Sequence, residues 1–162
     1  DAPRLHELSV RTHQFNTTGE AVAEAELRAF IASPAHQVTT VRLSDRFGDD
    51  GLVGGCVSHR GPGPGWTVTL LMMSCRAMGR GVIEALLAWL ARSAARDGAQ
   101  ELVVPCLVTP RNVPLRLALA ASGFRAPEDA GKAERPHVAR FARTLSGPPP
   151  PLPGWVTAPG EP

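Results

Sequence analysis

The chain has 162 residues, 43% hydrophobic and 20% charged, a balance that excludes a disordered or fibrous polymer and suits one folded domain burying about two-thirds of its unfolded surface. Its 17 basic and 15 acidic residues leave a formal charge of +2, too even for general nucleic-acid binding, and Lys132 is the only lysine. No apolar run approaches the roughly 18–20 residues of a membrane span, and the start, Asp1-Ala2-Pro3-Arg4, carries no signal-peptide core, so no membrane partner and a cytoplasmic location are expected.

Cys56, Cys75 and Cys106 are widely spaced, odd in number and without CxxC or a paired His cluster, so free thiols are expected rather than a disulfide framework or a metal site. The opening without Met reads as a processed chain or a domain of a longer enzyme.

Residues 6–12 read as a first strand. Thr17-x-x-Glu20 is a capping-box pattern ahead of a helix carrying Leu27, Phe30 and Ile31 on one face, which Ser33-Pro34 ends. Residues 37–43 and 52–58 read as two strands joined by Asp45-Arg46-Phe47-Gly48-Asp49-Asp50-Gly51, where the Asp-Gly step signals a hairpin and makes these acids turn residues. From Trp66 to Met73, apolar residues alternate with threonines as in a strand; over 79–97 the period switches to that of a helix, through Val82, Ile83, Leu86, Leu87, Leu90 and Ala94, with Gly98 as its stop. Glu101–Val108 suits a buried strand; Asn112, Pro114 and Gly123 bracket a short helix as cap, first-turn proline and terminator; and 137–145 closes the sheet.

The order strand, helix, three strands, helix, strand, helix, strand describes one α/β (α+β) domain over residues 1–146. Residues 147–162 hold seven of the 16 prolines and read as an extended linker or disordered tail, in which Trp155 is solvated rather than docked.

Chemistry concentrates in Leu70-Leu71-Met72-Met73-Ser74-Cys75-Arg76-Ala77-Met78-Gly79-Arg80-Gly81-Val82, where a strand runs through a glycine-bearing turn into an amphipathic helix. The first amides of a helix lack internal partners and sit at the positive end of its dipole, so a diphosphate can rest on them. Gly79 and Gly81 permit close approach, and Arg76 and Arg80 add charge.

Arg76, Gly79 and Gly81 match the [Gln/Arg]-x-x-Gly-x-[Gly/Ala] pattern of the GNAT (GCN5-related N-acetyltransferase) superfamily. Asn112 through Gly123-Phe124 resembles its second motif, an Asn-led helix ending in Gly-Phe. The resemblance covers about residues 5–145. Arg11-Thr12-His13-Gln14-Phe15-Asn16, Asp45-Arg46-Phe47-Gly48-Asp49 and Ser74-Cys75-Arg76 with Gly79-Arg80-Gly81 look more narrowly like the GNAT-type C-terminal domain of FkbH-like glyceryl transferases of polyketide pathways, in which a phosphatase-like domain, absent from this chain, normally precedes it.

The resemblance implies a mixed, mostly antiparallel sheet whose fourth and fifth strands splay around the pantetheine arm of coenzyme A, an acyl-CoA or an acyl carrier protein. Pro105 suits a strand where pairing is broken. It implies cofactor contacts from Leu71, Met73, Arg76 and Met78, and from Gly79, Arg80, Gly81 and Val82. The implied activity is acyltransfer from a coenzyme A or carrier-protein thioester to a thiol, hydroxyl or amine, with the strand amides near Leu71 to Met73 stabilising the oxyanion. The rivals are acetyl-CoA-dependent N-acetylation of a small amine and non-catalytic docking of a carrier protein.

The family's usual acid is a tyrosine seven residues after the Asn; here that position is Leu119, and the chain has no tyrosine. Asn112 is carried over with its motif. Cys75, just before a helix N-terminus and beside Arg76, is the substitute as acyl acceptor or acid, with inert packing as the plain alternative. Cys106 is a weaker candidate and Cys56 reads as core. His13 is a candidate general base, and Met72, Met73 and Met78 read as core or rim residues.

Overall fold

A computed structural model describes residues 1–61, 63–126 and 136–160. The chain opens with a helix, α1 (Ala2–Arg11), where a strand was expected. Pro3 starts the helix, Ala2, Leu5 and Leu8 repeat at helical spacing and are buried, and Glu7 pairs with both Arg4 and Arg11 on the outer face. That stripe outweighs the short Leu8-x-Val10 alternation, and Val10 is left half exposed.

Helix α2 (Glu24–Ala32) ends at Ser33 as expected, but its N-cap is Ala23; Thr17 is used elsewhere. Strands β1 (His36–Asp45) and β2 (Gly48–Arg60) form a hairpin that turns at Arg46-Phe47. The Asp50-Gly51 step lies inside β2, where Leu43 pairs with Gly51 and Ser44 with Asp49, so Asp50 is bulged out of register. Asp45 and Asp49 accept amide hydrogens from Phe47 and Gly51 at 2.7 Å, as turn residues do.

The remaining elements follow the expected order: β3 (Gly65–Met73), a 3-10 turn (Cys75–Ala77), α3 (Val82–Arg96), β4 (Glu101–Val108), α4 (Val113–Ala121) and β5 (His137–Thr144). The sheet runs β1-β2-β3-β4-β5, antiparallel except for β3 and β4. Those two are parallel and meet only from Gly65↔Glu101 to Thr67↔Val103. They are the strands expected to splay, and they do. Leu107 points its N–H into the gap, so Pro105, two residues earlier in the strand, presents its hydrogen-free nitrogen to the same side.

Two apolar layers hold the sheet. Leu5, Leu8 and Leu27 from α1 and α2 meet Leu52, Val57, Leu70 and Met72 on one face. On the other, Leu86, Leu87 and Leu90 of α3 and Leu115 and Leu119 of α4 meet Val53, Leu71, Leu102 and Val104. Each such leucine contributes about 1.5–3 kcal/mol by leaving water, which holds α3 and its N-terminus firmly on the sheet. Leu119, at the position of the family's usual acid, is fully buried in this core.

The proline-rich stretch 147–160 forms no helix or strand and lies along α3. Trp89 Nε1 donates to the Pro159 carbonyl at 3.3 Å, Arg92 to Pro150 at 3.3 Å and Arg96 to Gly160 at 2.5 Å. Leu152 and Ala158 pack on the core, and Trp155 reaches the N-terminus of α3.

Candidate functional site

Beyond Thr67 and Val103 the facing edges of β3 and β4 are too far apart to pair, and the chain's own segment Phe15–Thr17 enters the gap. Met73 donates its N–H to the Phe15 carbonyl at 2.9 Å, Thr17 donates to the Leu71 carbonyl at 3.0 Å, and Leu71 donates to Thr17 Oγ1 at 2.9 Å. On the opposite side Leu107 donates to the Thr17 carbonyl at 2.7 Å. Asn16 is buried between them, its Oδ1 accepting from the Thr18 and Gly19 amides at 3.0 and 3.2 Å. The amides of Leu71 and Met73, expected as oxyanion donors, are therefore already paired, and the side chains of both residues are buried. The sequence signal for this was the run of polar residues Asn16-Thr17-Thr18, whose hydroxyl and amide groups bond to backbone nearby.

After β3, the Ser74 amide is held by the Val53 carbonyl at 2.7 Å, and Ser74 Oγ accepts from the Arg76 amide at 3.3 Å, setting the 3-10 turn. Gly79 and Gly81 both lie in the left-handed region, at φ +70° and +72°. The first hydrogen bond of α3 runs from Ala85 to the Gly81 carbonyl at 3.0 Å. Among the described residues, no oxygen accepts from the amides of Gly79, Gly81, Val82 or Ile83. A Cβ built on Gly79 would meet nothing within 4 Å, so the approach to this turn is open. Positive dipole, bare donors and open access are the features that an anion needs at a helix start.

The charges around it differ from expectation in one respect. Arg76 is exposed beside the turn, but Arg80 is held by Asp45 and Asp50, each at 2.6 Å. The acids of the hairpin thus neutralise one of the two arginines, a pairing across some 30 residues that local pattern does not reveal. Met78 is a rim residue, 38% exposed, and Val82 is buried with only its backbone available to a ligand.

His13 and Cys75 line one cleft of about 690 Å³, together with Phe15, Met73, Arg111 and Pro114. Two of the three candidate catalytic residues are thereby brought together at the mouth of the splay. Asn112 is not on that wall. It is buried, and its amide is spent on its own loop: Oδ1 accepts from the Thr109 amide at 3.1 Å while Nδ2 donates to the Leu107 carbonyl and contacts Cys106 Sγ. These bonds fix the β4–α4 link.

Burial separates the thiols. It pushes Cys56 up to about 12 and Cys106 up to about 11, whereas Cys75 is exposed. Unfolded thiols ionise near 9.0 while the buried ones keep their protons, so this contribution to stability is intact below about pH 9 and is lost as pH rises above it. With no tyrosine and one lysine, few other groups titrate in that range. Urea unfolding should show stability falling by roughly 2–3 kcal/mol between about pH 8 and pH 10, and the loss should shrink when Cys56 and Cys106 are both replaced by Ala; an unchanged slope in that variant would assign the loss to other groups.

No family model and no curated protein matches the chain in sequence; the likeness is one of fold. A protein from Desulfovibrio desulfuricans described as a GNAT-family acetyltransferase superposes with a TM-score of 0.71 at 16% identity, over 90% of this chain and 93% of that one. The ribosomal-protein-S18-alanine N-acetyltransferase of Escherichia coli gives 0.66 at 14% identity, over 91% and 90%. A Bacillus subtilis acetyltransferase in complex with coenzyme A gives 0.61 at 10% identity, over 88% and 91%. The chain has the GNAT fold.

Proposed function

We propose that this chain, built on the GNAT fold, is an acyltransferase that holds the diphosphate of an acyl-CoA on the amides of Gly79, Gly81 and Val82 and passes a short acyl group to an acceptor in the His13–Cys75 cleft. The observation that carries this is the open row of unpartnered amides where β3 turns into α3. Arg76 adds charge there, and the thioester supplies an activated carbonyl when bound. His13 takes the proton from the Cys75 thiol, and the sulfur attacks that carbonyl. The departing thiolate takes that proton from His13; an acceptor thiol, hydroxyl or amine then gives its own proton to His13 and displaces Cys75, whose thiolate takes the proton from His13 in turn. The resemblance to FkbH-like domains favours a carrier protein as donor or acceptor, a polyketide setting and a cytoplasmic location.

A second reading, a binding domain without catalysis, is favoured by the pairing of the Leu71 and Met73 amides with Thr17 and Phe15 and by the absence of tyrosine. The experiment is thermal shift with coenzyme A, followed by intact-mass measurement of the chain and a carrier protein after incubation with acetyl-CoA. Acylation that disappears in Cys75→Ala supports the transferase. Stabilisation without any acyl movement selects the docking domain, and neither response would defeat both readings.

A further inference from the structure

A second cavity, of about 350 Å³, lies on the flank of α3 that faces β1. Its floor is Val82, Ala85, Leu86 and Trp89 of α3, and its roof is the C-terminal stretch from Trp155 to Pro159. The third wall is residues 39–44 of β1, which among the described residues pairs only with β2 and so turns an unpaired edge outward. Three features set it apart from an ordinary gap beneath a tail. Its walls include two indoles, one of them 58% exposed. Its polar groups are backbone edges, the hydroxyls of Thr39, Thr40, Ser44 and Thr157, and the exposed Arg42 guanidinium, which lies 3.9 Å from Asp1. It also adjoins the anion site directly, because Trp155 Cζ2 lies 3.5 Å from where a Gly81 Cβ would sit and Val82 belongs to both.

We infer that this cavity receives the adenine base of coenzyme A, with Trp155 as its stacking platform. The inference rests on the diphosphate site at Gly79–Val82 and extends it. A planar, neutral heterocycle matches the indole face. The unpaired strand edge offers both a carbonyl and an amide, the complement of an adenine amino group and ring nitrogen. A base joined to a diphosphate is the one ligand that answers both neighbouring sites at once. The consequence separates two donors that share the same pantetheine arm: free coenzyme A carries the nucleotide and a carrier protein does not, so the strap favours the free cofactor.

The test is titration of wild type, Trp155→Ala and Trp155→Phe with coenzyme A and with 4′-phosphopantetheine, following indole fluorescence and calorimetric affinity. Base stacking predicts about tenfold weaker coenzyme A binding in Trp155→Ala, near wild-type affinity in Trp155→Phe, and unchanged affinity for 4′-phosphopantetheine. Coenzyme A should quench wild-type fluorescence, and the part of that quench owed to Trp155 should be lost in both variants while the Trp89 part remains in Trp155→Phe. Circular dichroism confirms that the variants are folded. Equal loss for both ligands would make Trp155 a structural brace, and no loss for either would remove it from the site; both outcomes overturn the inference while the diphosphate site stands. If wild type bound neither ligand, the diphosphate site itself would fail.

Discussion

Replacing Gly79 with Asp weakens coenzyme A binding by about a hundredfold or more, whereas Gly79→Asn keeps it within about threefold. The pair isolates charge from shape. Gly79 sits at φ +70°, where Asn and Asp are the side chains that enter most readily, and a Cβ there meets nothing within 4 Å. Both variants should therefore lose a similar, small amount of stability, about 1 kcal/mol, measured by urea unfolding. Only the carboxylate sets a negative charge against the amides that would hold the diphosphate. Calorimetric titration decides the matter: equal affinities for the two variants would mean that the diphosphate binds elsewhere.

Asn112→Ala acts on stability first. The buried amide holds the Thr109 N–H at 3.1 Å and the Leu107 carbonyl, so truncation strands two backbone groups away from water and opens a small void. At about 1–3 kcal/mol for each unpaired group, the expected loss is about 2–4 kcal/mol, read as a lower urea midpoint. Coenzyme A affinity should remain near wild type, because the Gly79–Val82 turn belongs to another element. An Asn112→Ala chain as stable as wild type but unable to transfer an acyl group would return Asn112 to the catalytic set.

The parts of the fold legible in the sequence are those whose pattern is local and long. Helix α3 carries a six-residue apolar stripe, β4 a continuous apolar run, and the turn ahead of α3 two glycines between a strand and that helix. Residues 6–12 misled because Leu8 and Val10 alternate over too short a window, while the helical signal, Ala2, Leu5 and Leu8 behind Pro3, begins upstream of it. Asp50-Gly51 misled because a bulge can use the same residues as a turn. The occupants of the site were hidden for a different reason. Thr17 meets Leu71 across 54 residues and Arg80 meets Asp45 across 35, and no periodicity encodes such meetings. Trp155 belongs to the same class: prolines keep its segment out of helices and strands but do not say where it lies.

The entry of Thr17 between β3 and β4 has a geometric consequence. The two halves of the sheet resemble the covers of a book, with Gly65–Thr67 against Glu101–Val103 as the spine and a single residue as the clasp. The angle between the covers is set by the width of that clasp, and so by the link between α1 and α2 rather than by the strands themselves. Lengthening or shortening this link by one residue would alter what the opening admits while every leucine of the interior stayed in place.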